Sequence, residues 1–185
     1  GKTYHVVSLR DITELALQRE ELNTLSLMDG LTGLYNRRGF FTLANLQRKT
    51  AYRNEQCFAL FYIDLDGLKQ INDTYGHTIG DQALQETAAL LRKTFRETDI
   101  KARLGGDEFC VLAIDANKDI SEKLTTRLEK GLLAFNQLKK QPVDLSLSLG
   151  VSHFIPQQPA TLERLLEQAD AVMYSQKALK KRNTQ

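Results

Sequence analysis

Residues 57–63 read Cys-Phe-Ala-Leu-Phe-Tyr-Ile, an unbroken apolar run that stops on Asp64-Leu65-Asp66. A run without polar alternation does not suit a sheet with one wet face. It suits a strand covered on both faces. A second apolar run, Phe109 to Ile114, follows Gly105-Gly106 and a shorter strand over 100–104. Gly-Gly predicts a two-residue hairpin there, with both glycines central, because such turns need positive φ at their central positions. Val143 to Phe154 reads as a further strand. Helices are expected over 37–52 and 80–95, the second from Leu84, Ala88, Leu91 and Phe95 at helical spacing. Ile120, Leu124, Leu128 and Leu132 mark another, and Leu162, Leu165, Leu166, Ala169 and Met173 the last. The mixed order with a hairpin predicts an α/β (α+β) fold, a central and mainly antiparallel sheet covered by helices.

Upstream, residues 4–9 look like a strand. A helix is expected from about Ile12 to Met28, with Leu15, Leu22 and Leu25 on a heptad-like seam. The seam is short, and a helix packing on its own domain fits it as well as a coiled coil does. The 25 basic and 23 acidic side chains leave a net charge of +2, too balanced for a sequence-independent nucleic-acid binder. No apolar run is long enough to cross a bilayer. With no secretory signal, a cytoplasmic location is expected, although the start at Gly1 reads as a fragment whose full protein can be tethered upstream. Cys57 and Cys110 sit in apolar runs without metal-ligand spacing, and read as small buried hydrophobes in a reducing compartment.

The chemistry gathers where apolar strands meet acids. Asp64 and Asp66 end one strand, and Asp107-Glu108 follow the hairpin glycines. If the two strands are central and adjacent, their acidic ends converge. Carboxylate oxygens suit a hard cation such as Mg²⁺, which keeps phosphate and water as its other ligands. Taken alone, the acids fit a metal site and a merely solvated strand end equally well. Two rival motifs fail. An EF-hand loop from Asp64 needs Gly sixth and Glu twelfth, where Lys69 and Tyr75 stand. No G-x-x-x-x-G-K-[ST] string occurs, so a triphosphate would be held otherwise.

Four ordered blocks together carry a family resemblance. They are residues 29–38 (DGLTGLYNRR), residues 64–81 (DLDGLKQINDTYGHTIGD), residues 103–109 (RLGGDEF) and Ser148-Leu149-Gly150. Over residues 29–185 the chain resembles GGDEF diguanylate cyclases. The resemblance implies a nucleotidyl-cyclase or polymerase-palm-like fold. It implies that Asp64, the Leu65 carbonyl and Asp107 hold Mg²⁺ (or Mn²⁺), and that Glu108 binds metal or accepts a proton. Asn72 and Asp81 match the residues that read guanine, consistent with a carboxylate accepting from N1–H and N2–H₂. Backbone donors at Gly67 and Leu68, with Lys69 nearby, match the phosphate contacts. Gly67 and Leu68 replace the aromatic residues of many relatives. His77 matches a position that contacts the nucleotide or orders its loop.

At the C-terminus the family's Lys-x-x-Gly-Arg-Asn is replaced by Lys177-Ala-Leu-Lys180-Lys181-Arg182-Asn183. Lys177 aligns as a triphosphate ligand, and either Lys181 or Arg182 supplies the second cation. Arg96-Glu-Thr-Asp99 stands nine residues before Gly105, the family spacing of an R-x-x-D site where product binds and inhibits. By itself that string is a weak surface ion pair. Residues 5–14 resemble the end of a PAS sensory domain. The expected organisation is therefore 1–11 as the last strand of a PAS-like sensor, 12–28 as a linker helix and 29–185 as the catalytic domain. The implied activity is condensation of two GTP into cyclic di-GMP and two pyrophosphates by a homodimer with product inhibition, and no nucleic-acid partner or membrane segment. The alternatives are a catalytically silent module that binds cyclic di-GMP or GTP, and a pure dimerisation element.

Overall fold

The computed structural model describes residues 27–138 and 142–183, without the side chains of Lys181 and Asn183. The elements run α1 (Arg37–Arg53), β1 (Phe58–Leu65), α2 (Leu68–Tyr75), α3 (His77–Thr94), β2 (Ile100–Gly105), β3 (Glu108–Ile114), α4 (Lys118–Gln137), β4 (Leu147–Phe154) and α5 (Leu162–Asn183). The sheet order is β2-β3-β1-β4, and every pairing of these strands is antiparallel. The apolar run is thus a central strand, buried at all eight positions.

Side-chain alternation along β1 divides the core in two. Ala59, Phe61, Ile63 and Leu65 face Ile71 of α2, Leu84 and Leu91 of α3 and Leu128 of α4. Phe58, Leu60 and Tyr62 face Phe40 and Ala44 of α1 and Leu162, Leu165, Ala169 and Met173 of α5. Phe58 stacks on Phe154 directly across the β1–β4 ladder, with ring centroids 4.7 Å apart. The outer edge of β2 is partly covered by Tyr35, whose N–H and C=O bond Lys101 and Arg103. That cover removes part of an open strand edge.

Several expectations are corrected. Leu27 and Met28 are not helical, since Met28 forms an antiparallel bridge with Tyr35. The rest of the expected linker helix and the PAS-like strip lie outside the described residues. The expected strand from Val143 begins only at Leu147, because the side-chain amide of Asn136 bonds both the N–H and the C=O of Leu145. The glycines are not the two central turn residues. Gly105 pairs with Glu108, so Gly106 and Asp107 make the loop, with Gly106 at φ 48°. The helix expected from residue 80 starts at His77, and α2 was not foreseen. Cys110 is buried as expected, whereas Cys57 precedes β1 and is half-buried.

α5 lies against β4 at backbone contact. A Cβ at Gly150 would collide with the carbonyl oxygen of Ala169 and lie 2.5 Å from the N of Met173. Gly150→Ala should therefore lower unfolding stability by about 3 kcal/mol, because backbone cannot give way as a side chain does. Urea unfolding measures this, and a midpoint within error of the parent would show that the contact yields.

Candidate functional site

The even-numbered face of β1 that carries Phe58, Leu60 and Tyr62 ends on Asp64, and the chain then delivers Asp66 to the same side. Asp64 stands directly opposite Glu108 on β3 and Ser148 on β4. Asp107 is tied to this end through its carbonyl, which accepts from the Leu65 N–H at 2.9 Å. The acidic ends of the two central strands therefore do converge. Tyr62, two residues back on the same face, donates its hydroxyl to Glu108 Oε1 at 3.1 Å. Burial first and then the Glu108 charge raise the Tyr62 phenol well above its usual range, so it remains a donor.

α5 brings two ammonium groups down onto these acids. Lys177 Nζ lies 2.7 Å from Asp64 Oδ1, and Lys180 Nζ lies 3.1 Å from Asp66 Oδ2. Lys180 also donates to the Leu147 carbonyl. The two carboxylates are nevertheless unlike. Asp66 also accepts from Ser146 Oγ at 2.7 Å and Ser148 Oγ at 2.8 Å. Burial works against its charge, but the two hydroxyls and Lys180 more than offset that, and its pKa is lowered. For Asp64, burial outweighs the help of Lys177, the charges of Asp107 and Asp66 add to it, and its pKa is raised. On Lys177, burial opposes the charge, yet the bond to Asp64 prevails and its pKa is raised.

The remaining predicted residues lie on α2, at the start of α3 and at the end of α5. Gly67 starts α2 in the left-handed region, at φ 75°, and no side chain caps the helix. The first-turn N–H groups after Asp66 thus have no side-chain acceptor, the arrangement that suits an anion. Lys69 is exposed on that turn. Asn72, half-buried on α2, lies where a Cβ on Gly80 of α3 would overlap its amide. His77 and Asp81 are exposed, one turn apart, at the start of α3. Arg182 is exposed, and the Lys181 side chain lies outside the described residues.

Among the described residues, Arg96 and Asp99 form no side-chain ion pair, the ordinary reading of such a string. Asp99 is buried, and its carboxylate accepts from the N–H groups of Arg96 at 2.8 Å and Ile114 at 3.1 Å, closing the turn before β2. Arg96 is exposed beside it. The first motif block braces the hairpin. Asp29 accepts from Thr32 and pairs with Arg103 at 3.4 Å, and Arg103 in turn donates twice to the Gly106 carbonyl.

Two contributors were missed in the sequence. Tyr62 was hidden in an apolar run, although a buried Tyr normally needs a partner for its hydroxyl. Lys180 was passed over for Lys181 and Arg182, although i, i+3 spacing from Lys177 puts it on the same helix face.

The family described as "Diguanylate cyclase, GGDEF domain" matches residues 26–183. The chain belongs to this family. It is 33% identical over 179 residues to a probable diguanylate cyclase, DgcC, of Escherichia coli K12, covering 97% of this chain and 48% of DgcC. It is 38% identical over 170 residues to the bifunctional diguanylate cyclase/cyclic di-GMP phosphodiesterase MucR of Pseudomonas aeruginosa, covering 89% of this chain and 24% of MucR. The chain thus spans about half or less of the length of these two relatives. Among solved structures it resembles a sensory box/GGDEF family protein of Caulobacter crescentus, with TM-score 0.72 and 34% identity, covering 83% of this chain and 99% of that one.

Within this GGDEF domain, Asp66 joins β1, β4 and α5. A carboxylate whose pKa is lowered by folding stabilises the fold above its unfolded value, and that contribution is lost as pH falls through the lower folded value. Asp66→Asn should cost about 1–2 kcal/mol at about pH 7, and distinctly less at about pH 3, below the ordinary carboxylate value, where the charge contributes progressively less to folding. Urea unfolding at the two pH values decides, and an equal deficit at both would rule out the charge as the cause.

Proposed function

We propose that this GGDEF domain is the catalytic part of a diguanylate cyclase that condenses two GTP into cyclic di-GMP, releasing two pyrophosphates. The observation that carries this reading is the pairing of Asp64 with Glu108, beside Asp107, at the buried ends of adjacent central strands. The donor set is oxygen throughout and fits Mg²⁺ or Mn²⁺. A buried Asp64 with a raised pKa and acidic neighbours is a carboxylate that gains from such a cation. Asp64, the Leu65 carbonyl, Asp107 and Glu108 are the residues that would hold it. A bound divalent ion would offset charge on the triphosphate and its leaving pyrophosphate.

The chain's own groups take the other roles. The uncapped N–H groups at Gly67, Leu68 and Lys69 receive phosphate oxygens. Asn72 and Asp81 read the guanine edge, with His77 ordering the loop between them. Lys177, with Lys180, Lys181 or Arg182 beside it on α5, holds the triphosphate. Glu108, oriented by the Tyr62 hydroxyl, binds metal or accepts the proton of the attacking 3′-hydroxyl. In each of two steps that hydroxyl attacks the α-phosphorus of the facing GTP. Each domain supplies one nucleotide, so the product requires two copies, and a homodimer follows from the chemistry. The boundaries belong to the same proposal: a PAS-like tail over 1–11, a pairing helix upstream of the domain and catalysis in 29–185, on the cytoplasmic side where GTP is available.

The second reading is a module that binds nucleotide without turnover, favoured by the Lys177 ammonium 2.7 Å from Asp64 Oδ1, which stands where a metal would. GTP turnover with Mg²⁺ separates the two readings. Asp107→Asn and Glu108→Gln should each lower cyclic di-GMP formation at least about a hundredfold while the thermal midpoint stays put. Turnover near the parent value in both variants would overturn the assignment.

Product inhibition is proposed at Arg96 and Asp99. Because the Asp99 carboxylate already accepts two backbone N–H groups, exposed Arg96 is the group able to grip product phosphate or stack on guanine. Arg96→Ala should relieve inhibition by cyclic di-GMP without changing initial rates. A product titration at several GTP concentrations measures this, and inhibition that is purely competitive, or undiminished in the variant, would return Arg96 to an ordinary surface residue.

A further inference from the structure

Lys177 stands at the meeting point of the two ligands that the proposed reaction needs. Its ammonium lies 2.7 Å from Asp64 Oδ1, and its side chain is only 26% exposed. The Asp64 side chain is 8% exposed. Asp107 and Asp66 add negative charge nearby. The same Lys177 matches the family position that holds the triphosphate. It cannot do both at full strength, because an ammonium bonded to Asp64 occupies a carboxylate lone pair and neutralises the charge that a cation needs.

We propose that Lys177 is a resident counter-ion of the nucleotide-free domain, one that competes with the divalent metal for Asp64 and releases it when a triphosphate arrives. The inference rests on the reading of Asp64 as a metal ligand. Its consequence is positive coupling between the two ligands. A nucleotide draws the ammonium onto phosphate, so Asp64 binds metal with no cation to displace. By linkage, bound metal frees Lys177 for phosphate to the same degree. The domain then binds free metal weakly and metal together with nucleotide strongly. Two features of the fold make the exchange inexpensive. A Lys side chain pivots on four rotatable bonds, so its ammonium can shift while α5 stays packed. Lys180, pinned between Asp66 and the Leu147 carbonyl, keeps that turn of α5 docked while Lys177 moves.

The test is Mn²⁺ binding to the whole chain, followed by the electron paramagnetic resonance signal of free Mn²⁺. It is run with and without a GTP analogue that cannot be cleaved at the α-phosphorus. Without nucleotide, Lys177→Met should bind Mn²⁺ about tenfold more tightly than the parent, and the tightening produced by the analogue should shrink by about the same factor. Lys177→Gln, which keeps a polar side chain, should show the same direction if Met disturbs the packing of α5. Unchanged or weaker Mn²⁺ binding in both variants would overturn the proposal. Asp64→Asn in the Lys177→Met background tests the reading beneath it. Loss of the tight Mn²⁺ site supports Asp64 as a ligand, whereas an undiminished site places the metal elsewhere and removes both claims together.

Discussion

β1 is hydrogen-bonded on both edges and buried on both faces, so its last residues cannot shift without disturbing the whole core. A one-residue slip would move Phe61 and Ile63 from the face of α2, α3 and α4 to that of α1 and α5, and would turn Asp64 the other way. Register is therefore fixed by hydrophobic burial along the strand. The carboxylate at its end inherits that accuracy from the strand, and Lys177 adds one side-chain bond to it. Glu108 inherits it a second time through the β1–β3 ladder and the Tyr62 hydroxyl.

Desolvation works in the opposite direction. The burial that aligns these acids also penalises their charge, and the penalty is offset at Asp66 but not at Asp64. The hairpin loop that holds Asp107 is fastened from outside the core, by Arg103 bridging the Gly106 carbonyl to Asp29. The first motif block thus acts at a distance from the acids. It sets where the turn lies, and through the turn, where Asp107 stands.

Most of the architecture was legible because its signals are strong. An apolar run without alternation predicted a strand with two covered faces, and both faces are covered. Helical spacing predicted α3, α4 and α5. The failures have specific physical causes. Residues 68–75 carry apolar side chains only at Leu68, Ile71 and Tyr75, two turns between glycines and too short a stretch to separate a helix from a loop. Val143 to Ser146 alternate like a strand, but Asn136 satisfies the Leu145 backbone in place of a ladder partner. The Gly-Gly pair announced a hairpin correctly, while the exact loop depended on pairing of Gly105 with Glu108 beside a bulge. For the site, the acids and Lys177 stood out as chemical types at strand and helix ends. Tyr62 and Lys180 act through geometry that appears only when α5 is laid on the sheet.

The contrast between Asp64 and Asp66 carries the argument furthest. The two carboxylates are two residues apart, face the same helix and each meet one lysine. Asp66 also has two serine hydroxyls from β4, so its negative charge is well solvated by protein and folding favours it. Asp64 is more deeply buried, has one strong donor and lies near Asp107. Folding therefore leaves one acid satisfied and the other in need of positive charge. A cation placed at Asp66 would have to displace three donors, whereas at Asp64 it displaces one ammonium. That difference in displacement cost, set by Ser146 and Ser148 at the start of β4, is the physical ground for placing the proposed metal at Asp64 and the bracing of β1, β4 and α5 at Asp66.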